Sequence, residues 1–301
     1  MGTLSMRARR QMNPDLADWV QRVIDDVRRL KPMPPNIARV MRLLDDPNVS
    51  TQAIASAIGL DQALAAQLLK LANSAFYGGS RPSSTIHEAV VRVGFDQIRV
   101  LLLGVVTMGP LSKRLMGYRM AKGQLWEHAL LTAASAKVIA QRVAYAQPEE
   151  AYVAGLLHDI GKLTLDQLMR AEAPRVRLLA DREGMPDWQI EEQLFGIDHS
   201  TIGGMMAERW KFPPPLSYAI QYHHAPTFAP RHMELAAIVN IGNAISGRKD
   251  PQQADKQRRR AHPEALRLLG IDTDMLLHEL CEEAYVFSHQ LLGAEESDAN
   301  G

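Results

Sequence analysis

The sequence predicts an all-α protein made of two packed helical bundles, and three observations carry that prediction. Apolar residues recur at spacings of three and four along most of the 301-residue chain, the period of a helix with one buried face. Alternating runs rich in Val, Ile and Thr, the mark of half-buried strands, do not recur. Breaks such as "KPMPP", "GPLSKRLMGYRMAKG" and "KFPPPL" cut the pattern into helices of ordinary length.

Taken in order, residues 1–13 form a basic tail with no apolar period, expected to be flexible. From Pro14 a helix is predicted through Leu16, Val20, Val23, Ile24, Val27 and Leu30, with proline suited to its first turn. A second follows through Ile37, Val40, Met41 and Leu44 to "DDPN". Ser50 is the expected N-cap of a third and Asp61 of a fourth, because their short side chains can accept the unpaired N–H groups of a first turn. "NSAFYGGSRPSS" reads as a loop, and helices are expected over 86–93 and 96–108. The helical period resumes near Gln124 and runs with breaks to about Leu292. "HHAPTFAPRHM" is a turn, "DPQQADKQRRRAHP" a polar loop, and the tail from 294 is expected to be disordered. The domain reading is therefore a bundle over 14–117 and a larger one over 118–293.

Composition narrows the function classes. Lys plus Arg and Asp plus Glu are equal at 34 each, so the formal net charge is zero and no whole-surface attraction to nucleic acid or acidic lipid is expected. No apolar run approaches the ~20 residues of a spanning helix. The first residues lack the apolar segment of a secretory signal. A single cysteine, Cys281, cannot form an intrachain disulfide and is expected to pack as a small apolar residue. These features predict a cytoplasmic protein.

Two stretches imitate nucleic-acid binders. "TQAIASAIGLDQALAAQLLKLAN" has helix-turn-helix spacing, but its outward positions include Asp61, Gln62, Ala63 and Ala66 rather than a basic reading face. "KQRRR" at 256–260 has no interleaved aromatics and is diluted by Asp250 and Asp255. An ordinary helical pair and a solvated loop are the expectations.

The chemistry-bearing pattern is a series of histidines: His128 in "QLWEHALL", His158 and Asp159 in "LLHDIGK", His199 in "GIDHSTIGG", and His223 with His224 in "IQYHHAP". Imidazoles and a carboxylate on separate helices can converge on divalent ions inside a bundle. Within "AYVAGLLHDIGKLTLDQL", read as one core helix over 151–168, His158 and Lys162 share a face and Asp159 is turned by ~100°. Lys162 is expected to stand one turn away, where an ammonium can meet a phosphate. His87, His232, His262, His278 and His289 fall outside the series and are expected to be surface or packing residues.

This order resembles the metal-binding series of the HD-domain phosphohydrolases, and the chain as a whole is similar to HDOD-domain proteins, a bacterial signalling branch related to them. "PMPPNIARVMRLLDDPNVSTQAIASAIGLDQALAAQLLKLANSAFYG", "STIHEAVVRVGFDQIRVLLL", "EAYVAGLLHDIGKL" and "HSTIGGMMAERWKFPPPLSYAIQYHHAP" carry the resemblance, which covers about residues 30–246. It implies an N-terminal helical bundle beside an HD-like one, and a role in signal transduction through a protein or small-effector partner. It also implies metal ligation by His128, His158, Asp159, His199, His223 and His224. One or two iron, manganese, zinc or nickel ions suit such nitrogen-rich ligation.

The series departs from the HD hydrolases at one point and from their cyclic-di-GMP-hydrolysing branch at two more, so cleavage of cyclic-di-GMP is not expected. Asn243, in "AAIVNIGNAIS", stands where the last ligand Asp is expected, and a neutral amide is the weaker ligand. A Gly-Tyr-Pro signature after the His-His pair is replaced by "HHAPTFAPRHM", and position 124 is Gln where some relatives carry Glu. The leading expectation is a regulatory module with a degenerate or structural HD site. Metal-dependent hydrolysis of a nucleotide or phosphodiester is the alternative, with Asp159 bridging and Lys162 stabilising phosphoryl charge. A helix-turn-helix DNA regulator is the third reading, and the weakest.

Overall fold

The computed structural model describes residues 21–25, 27, 34–73, 81–246, 261–271 and 273–299, with side chains described at all of these except 106–108, 182, 183 and 288–299. Among the described residues there is no strand, and one isolated antiparallel bridge pairs Leu115 with Met120. The chain divides into two compact units, Pro32–Met108 with His289–Gly301, and Met1–Lys31 with Gly109–Ser288. The boundary thus follows Met108, where the sequence reading put it after 117. The described residues of the first expected helix, 21–25 and 27, are helical and grouped with the larger unit. The remainder of that helix, the basic tail, residues 74–80 of the expected loop and the "KQRRR" run lie outside the described residues.

In the smaller unit, α1 (Pro35–Leu44), α2 (Thr51–Gly59), α3 (Gln62–Ala72) and α4 (Ile86–Val93) precede α5 (Phe95–Leu111), which crosses the boundary. Both expected caps form: Ser50 accepts from the Ala53 amide, and Asp61 from the amides of Ala63 and Leu64. Thr85 and Glu88 cap α4 reciprocally. Because α4 packs on both α2 and α3, Ile54, Ile58, Leu64 and Leu68 are buried against neighbours. The helix-turn-helix look-alike is a packed pair within this unit.

The larger unit holds α6 (Gln124–Arg142), α7 (Pro148–Leu157), α8 (Lys162–Ala171), α9 (Ala173–Glu183), α10 (Asp187–Phe195), α11 (His199–Arg209) and α12 (Pro214–Tyr222). After a 3₁₀ turn at Pro226–Phe228 come α13 (Met233–Ser246), α14 (Pro263–Leu268) and α15 (Asp274–Ala299), whose residues from His289 on are grouped with the smaller unit. Prolines at the start of α7, α12 and α14 fit first turns, where no amide donor is needed. α15 continues through 294–299, where a disordered tail was expected; the segment "GAEESDA" is rich in the good helix formers Ala and Glu.

The centre of this unit is α13, packed on α6, α7 and α12, with Leu235 through Ile241 all buried. Small residues make the close packing feasible. α6 buries Ala129, Ala133, Ala136 and Ala140, and a side chain at Gly155 of α7 would come within 2.9 Å of the Thr132 carbonyl. Cys281 is buried, as its expected packing role requires. No helix of the described residues is long and apolar enough to cross a membrane.

Candidate metal centre

The expected single helix over 151–168 is instead two helices joined by a tight turn. α7 ends at Leu157, and His158 through Gly161 form a turn before α8 starts at Lys162. The bonds here reach back three residues rather than four: the amide of Ile160 donates to the Leu157 carbonyl at 3.0 Å, and that of Lys162 to the Asp159 carbonyl at 3.0 Å. Gly161 explains the break. A side chain there would run into the His199 carbonyl oxygen and stand 2.8 Å from the Gly203 amide, so the turn presses directly on the start of α11.

That contact brings the ligand series together. The ligand atoms of His128, His158 and Asp159 all lie within 4.8 Å of one another, and so do those of His199, His223 and His224. Asp159 joins the two groups. Its Oδ1 is 3.4 Å from His158 Nε2, 3.0 Å from His199 Nε2 and 3.9 Å from His223 Nε2, and its Oδ2 is 3.4 Å from His128 Nε2. His158, Asp159, His199 and His223 are almost wholly buried, while His128 and His224 are partly exposed.

Ring orientation follows from what each Nδ1 meets. His158 Nδ1 lies 2.7 Å from the Gly155 carbonyl and His223 Nδ1 2.8 Å from the Ile220 carbonyl. A carbonyl can only accept, so Nδ1 carries the proton in both and Nε2 keeps its lone pair. His199 Nδ1 lies 2.7 Å from the Glu191 carboxylate, another pure acceptor. His128 Nδ1 is 3.2 Å from Ser246 Oγ, whose own proton goes to the Asn243 carbonyl. The Nε2 atoms of His128 and His158 therefore face each other at 3.2 Å with lone pairs on both. Those of His199 and His224 lie 2.9 Å apart.

The set fits a divalent metal on a second ground as well. Both Asp159 oxygens and His223 Nε2 are buried without a well-directed hydrogen bond, although Lys162 Nζ comes to 2.8 Å of Asp159 Oδ2. Buried polar atoms left in this state are rare, and converging donors without protons are what a cation requires. Charge agrees. Burial pushes the His158 imidazole well below its usual range, and burial with the charge of His199 lowers His223 to about 4, so both are neutral donors. Burial opposes ionisation of Asp159, yet the charged Lys162 and His199 beside it outweigh that and hold the carboxyl well below the usual carboxylate range. His199 is the exception: burial is outweighed by the Glu191 and Asp159 carboxylates, which raise it to about 10, so without an ion its ring carries both protons and a metal would have to displace the one on Nε2.

Lys162 departs from expectation. It is the first residue of α8, separated from His158 by the turn, and is buried rather than standing toward an open substrate position. Its ammonium meets Asp159 at 2.8 Å and Asp187 at 3.7 Å and lies 5.5 Å above the Tyr118 ring. Burial works against its charge, but the two carboxylates prevail and raise its pKa. Asn243 is half-buried near the end of α13, and its carbonyl holds the hydroxyl of Ser246 one turn on.

Several residues of the site went unread in the sequence. Glu191, Tyr118 and Ser246 support the rings, and Trp188 stacks on His224 with ring centres 5.4 Å apart. Asn240, buried, donates to the His223 carbonyl at 2.7 Å and accepts from the His262 amide at 2.7 Å. Glu191 had one legible signal: it shares the buried stripe of Ile190, Leu194 and Phe195.

Known proteins carry the same arrangement of chain. The HDOD domain model matches residues 30–226. An uncharacterized protein of Treponema pallidum (strain Nichols) is 29% identical over 222 residues, 73% of this chain; the chain spans 42% of that relative's length. A solved structure of an HDOD domain protein of unknown function from Geobacter sulfurreducens is 26% identical, with a TM-score of 0.64 over 94% of this chain and 95% of its own. Another, a Shewanella amazonensis protein provisionally named a phosphohydrolase, is 25% identical, with a TM-score of 0.65 over 91% of this chain and 98% of its own. With the match running from α1 to the turn after the His-His pair, the chain belongs to the HDOD-domain family.

Proposed function

We propose that this chain is a bacterial signalling module of the HDOD type, acting through association with a protein or small effector, with its HD site serving structure or regulation rather than turnover. The position of Lys162 is the observation that carries this reading. The one cation that the motif offers to a phosphate is buried and committed to Asp159 and Asp187. Asn243, neutral where a hydrolase has a carboxylate, supports the same conclusion. In this reading His128, His158 and Asp159 hold one ion and His199, His223 and His224 a second or shared one; iron, manganese, zinc or nickel suits so many imidazoles.

Asp159 favours a second reading. A carboxylate placed between two ligand groups is the arrangement that two-metal hydrolases use, and ions held there would supply Lewis acidity toward a phosphoryl group. In that case Asp159 orients the site and Lys162 must exchange its carboxylate partners for substrate.

Metal analysis of the chain purified without chelator, followed by turnover assays on nucleotides and phosphodiesters with manganese or iron, separates the two. Bound metal without turnover across the panel supports the module. Turnover that disappears in His158→Ala overturns it in favour of the hydrolase. Activity appearing only in Asn243→Asp identifies the missing carboxylate as the cause of silence.

A further inference from the structure

We infer that Glu191 is a positioning residue that fixes the His199 imidazole as a ligand and strengthens it as a donor, an inference that rests on the metal-site reading above. Glu191 has no exposed surface and sits on the apolar stripe of α10, where Ile190, Leu194 and Phe195 are buried with it. An ionisable side chain in that place is costly unless its oxygens are fully engaged. They are engaged by three donors. The Tyr118 hydroxyl donates to Oε1 at 2.7 Å, the His199 amide donates to Oε2 at 2.6 Å, and His199 Nδ1 lies 2.7 Å from Oε2 and 3.0 Å from Oε1.

Two of those three donors belong to one residue, and that residue is a ligand. Helix capping alone does not account for this, because Asp198 already caps α11 by accepting from the Thr201 amide. What Glu191 adds is a grip on the backbone and the ring of His199 together. It leaves Nε2 aimed at Asp159 Oδ1, 3.0 Å away, and at His224 Nε2, 2.9 Å away. Glu191 also differs from the other groups that hold the rings. His158 and His223 lean on neutral carbonyls and His128 on a hydroxyl, whereas His199 leans on a carboxylate. A carboxylate behind the ring draws the Nδ1 proton toward itself and makes Nε2 the more basic donor. Tyr118, donating to the same carboxylate from below Lys162, fixes its rotation.

The test uses cobalt(II) added to the metal-stripped full-length chain, read by visible absorption and by calorimetric titration. Glu191→Ala is expected to bind cobalt roughly 10- to 100-fold more weakly, with a shifted ligand-field band. Glu191→Gln, which can still accept from Nδ1 but carries no charge, is expected to recover the band and only part of the affinity. In a His199→Ala background, Glu191→Gln is expected to change nothing further, a coupling that a purely structural role would not produce. If Glu191→Ala fails to fold, Glu191→Gln and Tyr118→Phe decide, each expected to weaken cobalt binding. Wild-type affinity and band in every folded variant overturns the inference alone. A wild-type chain that takes up no cobalt overturns the metal reading, and this inference with it.

Discussion

Replacing Gly161 by alanine adds one methyl group at the place where the turn between α7 and α8 presses on α11. The added carbon would collide with the His199 carbonyl oxygen and stand 2.8 Å from the Gly203 amide. Overpacking a close-packed interior costs about 1–3 kcal/mol. Both obstacles are main chain, which has no rotamer to yield, so the upper end, about 3 kcal/mol, is expected. At roughly 2–4 °C per kcal/mol for a unit of this size, thermal unfolding followed by circular dichroism should fall by roughly 6–12 °C. Cobalt uptake should weaken as well, because the displaced atoms belong to His199. Gly104→Ala is the matched control: nothing lies within 4 Å of the added carbon and the residue is in mid-helix, so a gain of roughly 0.5–1 kcal/mol is expected. A fall of less than about 2 °C for Gly161→Ala would refute the claim that close backbone contact dictates this glycine.

Three further outcomes are expected elsewhere in the molecule. Asn240→Leu leaves the buried His223 carbonyl and the half-buried His262 amide without their partner, which at about 1–3 kcal/mol per group should cost up to roughly 2–6 kcal/mol in urea unfolding; a loss below about 1 kcal/mol contradicts it. Burial pushes the Cys281 thiol up to about 12, so in native buffer near pH 8 a disulfide reagent should label it only as fast as the protein opens, and complete labelling on mixing would show the reasoning to be wrong. The carboxyl of Glu88 is lowered below its ordinary 4.5, first by the Ser84 amide, so its capping contribution is present above that pH and disappears as pH falls through the lower folded value. Unfolding midpoints of wild type and Glu88→Gln should therefore differ at neutral pH and converge in acid, and a constant gap would count against the cap.

Much of this molecule is legible from residue order because the signals are local. Ser50 and Asp61 cap the helices they precede, and that depends only on a short oxygen-bearing side chain next to unpaired amides. The ligand series is legible for a different reason: His128, His158-Asp159, His199 and His223-His224 recur along the chain in an order that resembles the HD-domain series. The turn at His158–Gly161 is not. His158 itself has helical angles, φ −52° and ψ −37°, and a 3₁₀-like turn differs from an α-turn by only ~20° per residue, too little to disturb an apolar pattern over four positions. Lys162 escaped for a different reason: its partner Asp187 lies on another helix, and nothing in the order of residues reveals a pairing across space. Glu191 and Glu192 are neighbours whose only difference in sequence is phase, Glu191 falling with Leu194 and Phe195; the donors that engage the buried one come from elsewhere in the chain.

Short side chains can meet at one point only if the helices bearing them stand unusually close, and the small residues of α6, α7 and α13 provide that closeness. In α6, Thr132 and Ala133 receive Gly155, and Thr132 and Ala136 receive Gly242; a side chain at Gly242 would come within 3.1 Å of the Thr132 carbonyl. Those contacts lie one turn from the site groups they govern: Gly155 supplies the carbonyl that orients His158, and Thr132 donates to Ser246, which orients His128. The glycines and alanines therefore act on ligand geometry as much as on packing. A core of the same volume built from larger residues would still be apolar and helical, but its axes would stand farther apart. The imidazoles would then no longer share a focus, and the buried carboxylate of Asp159 would lose the groups that keep it charged.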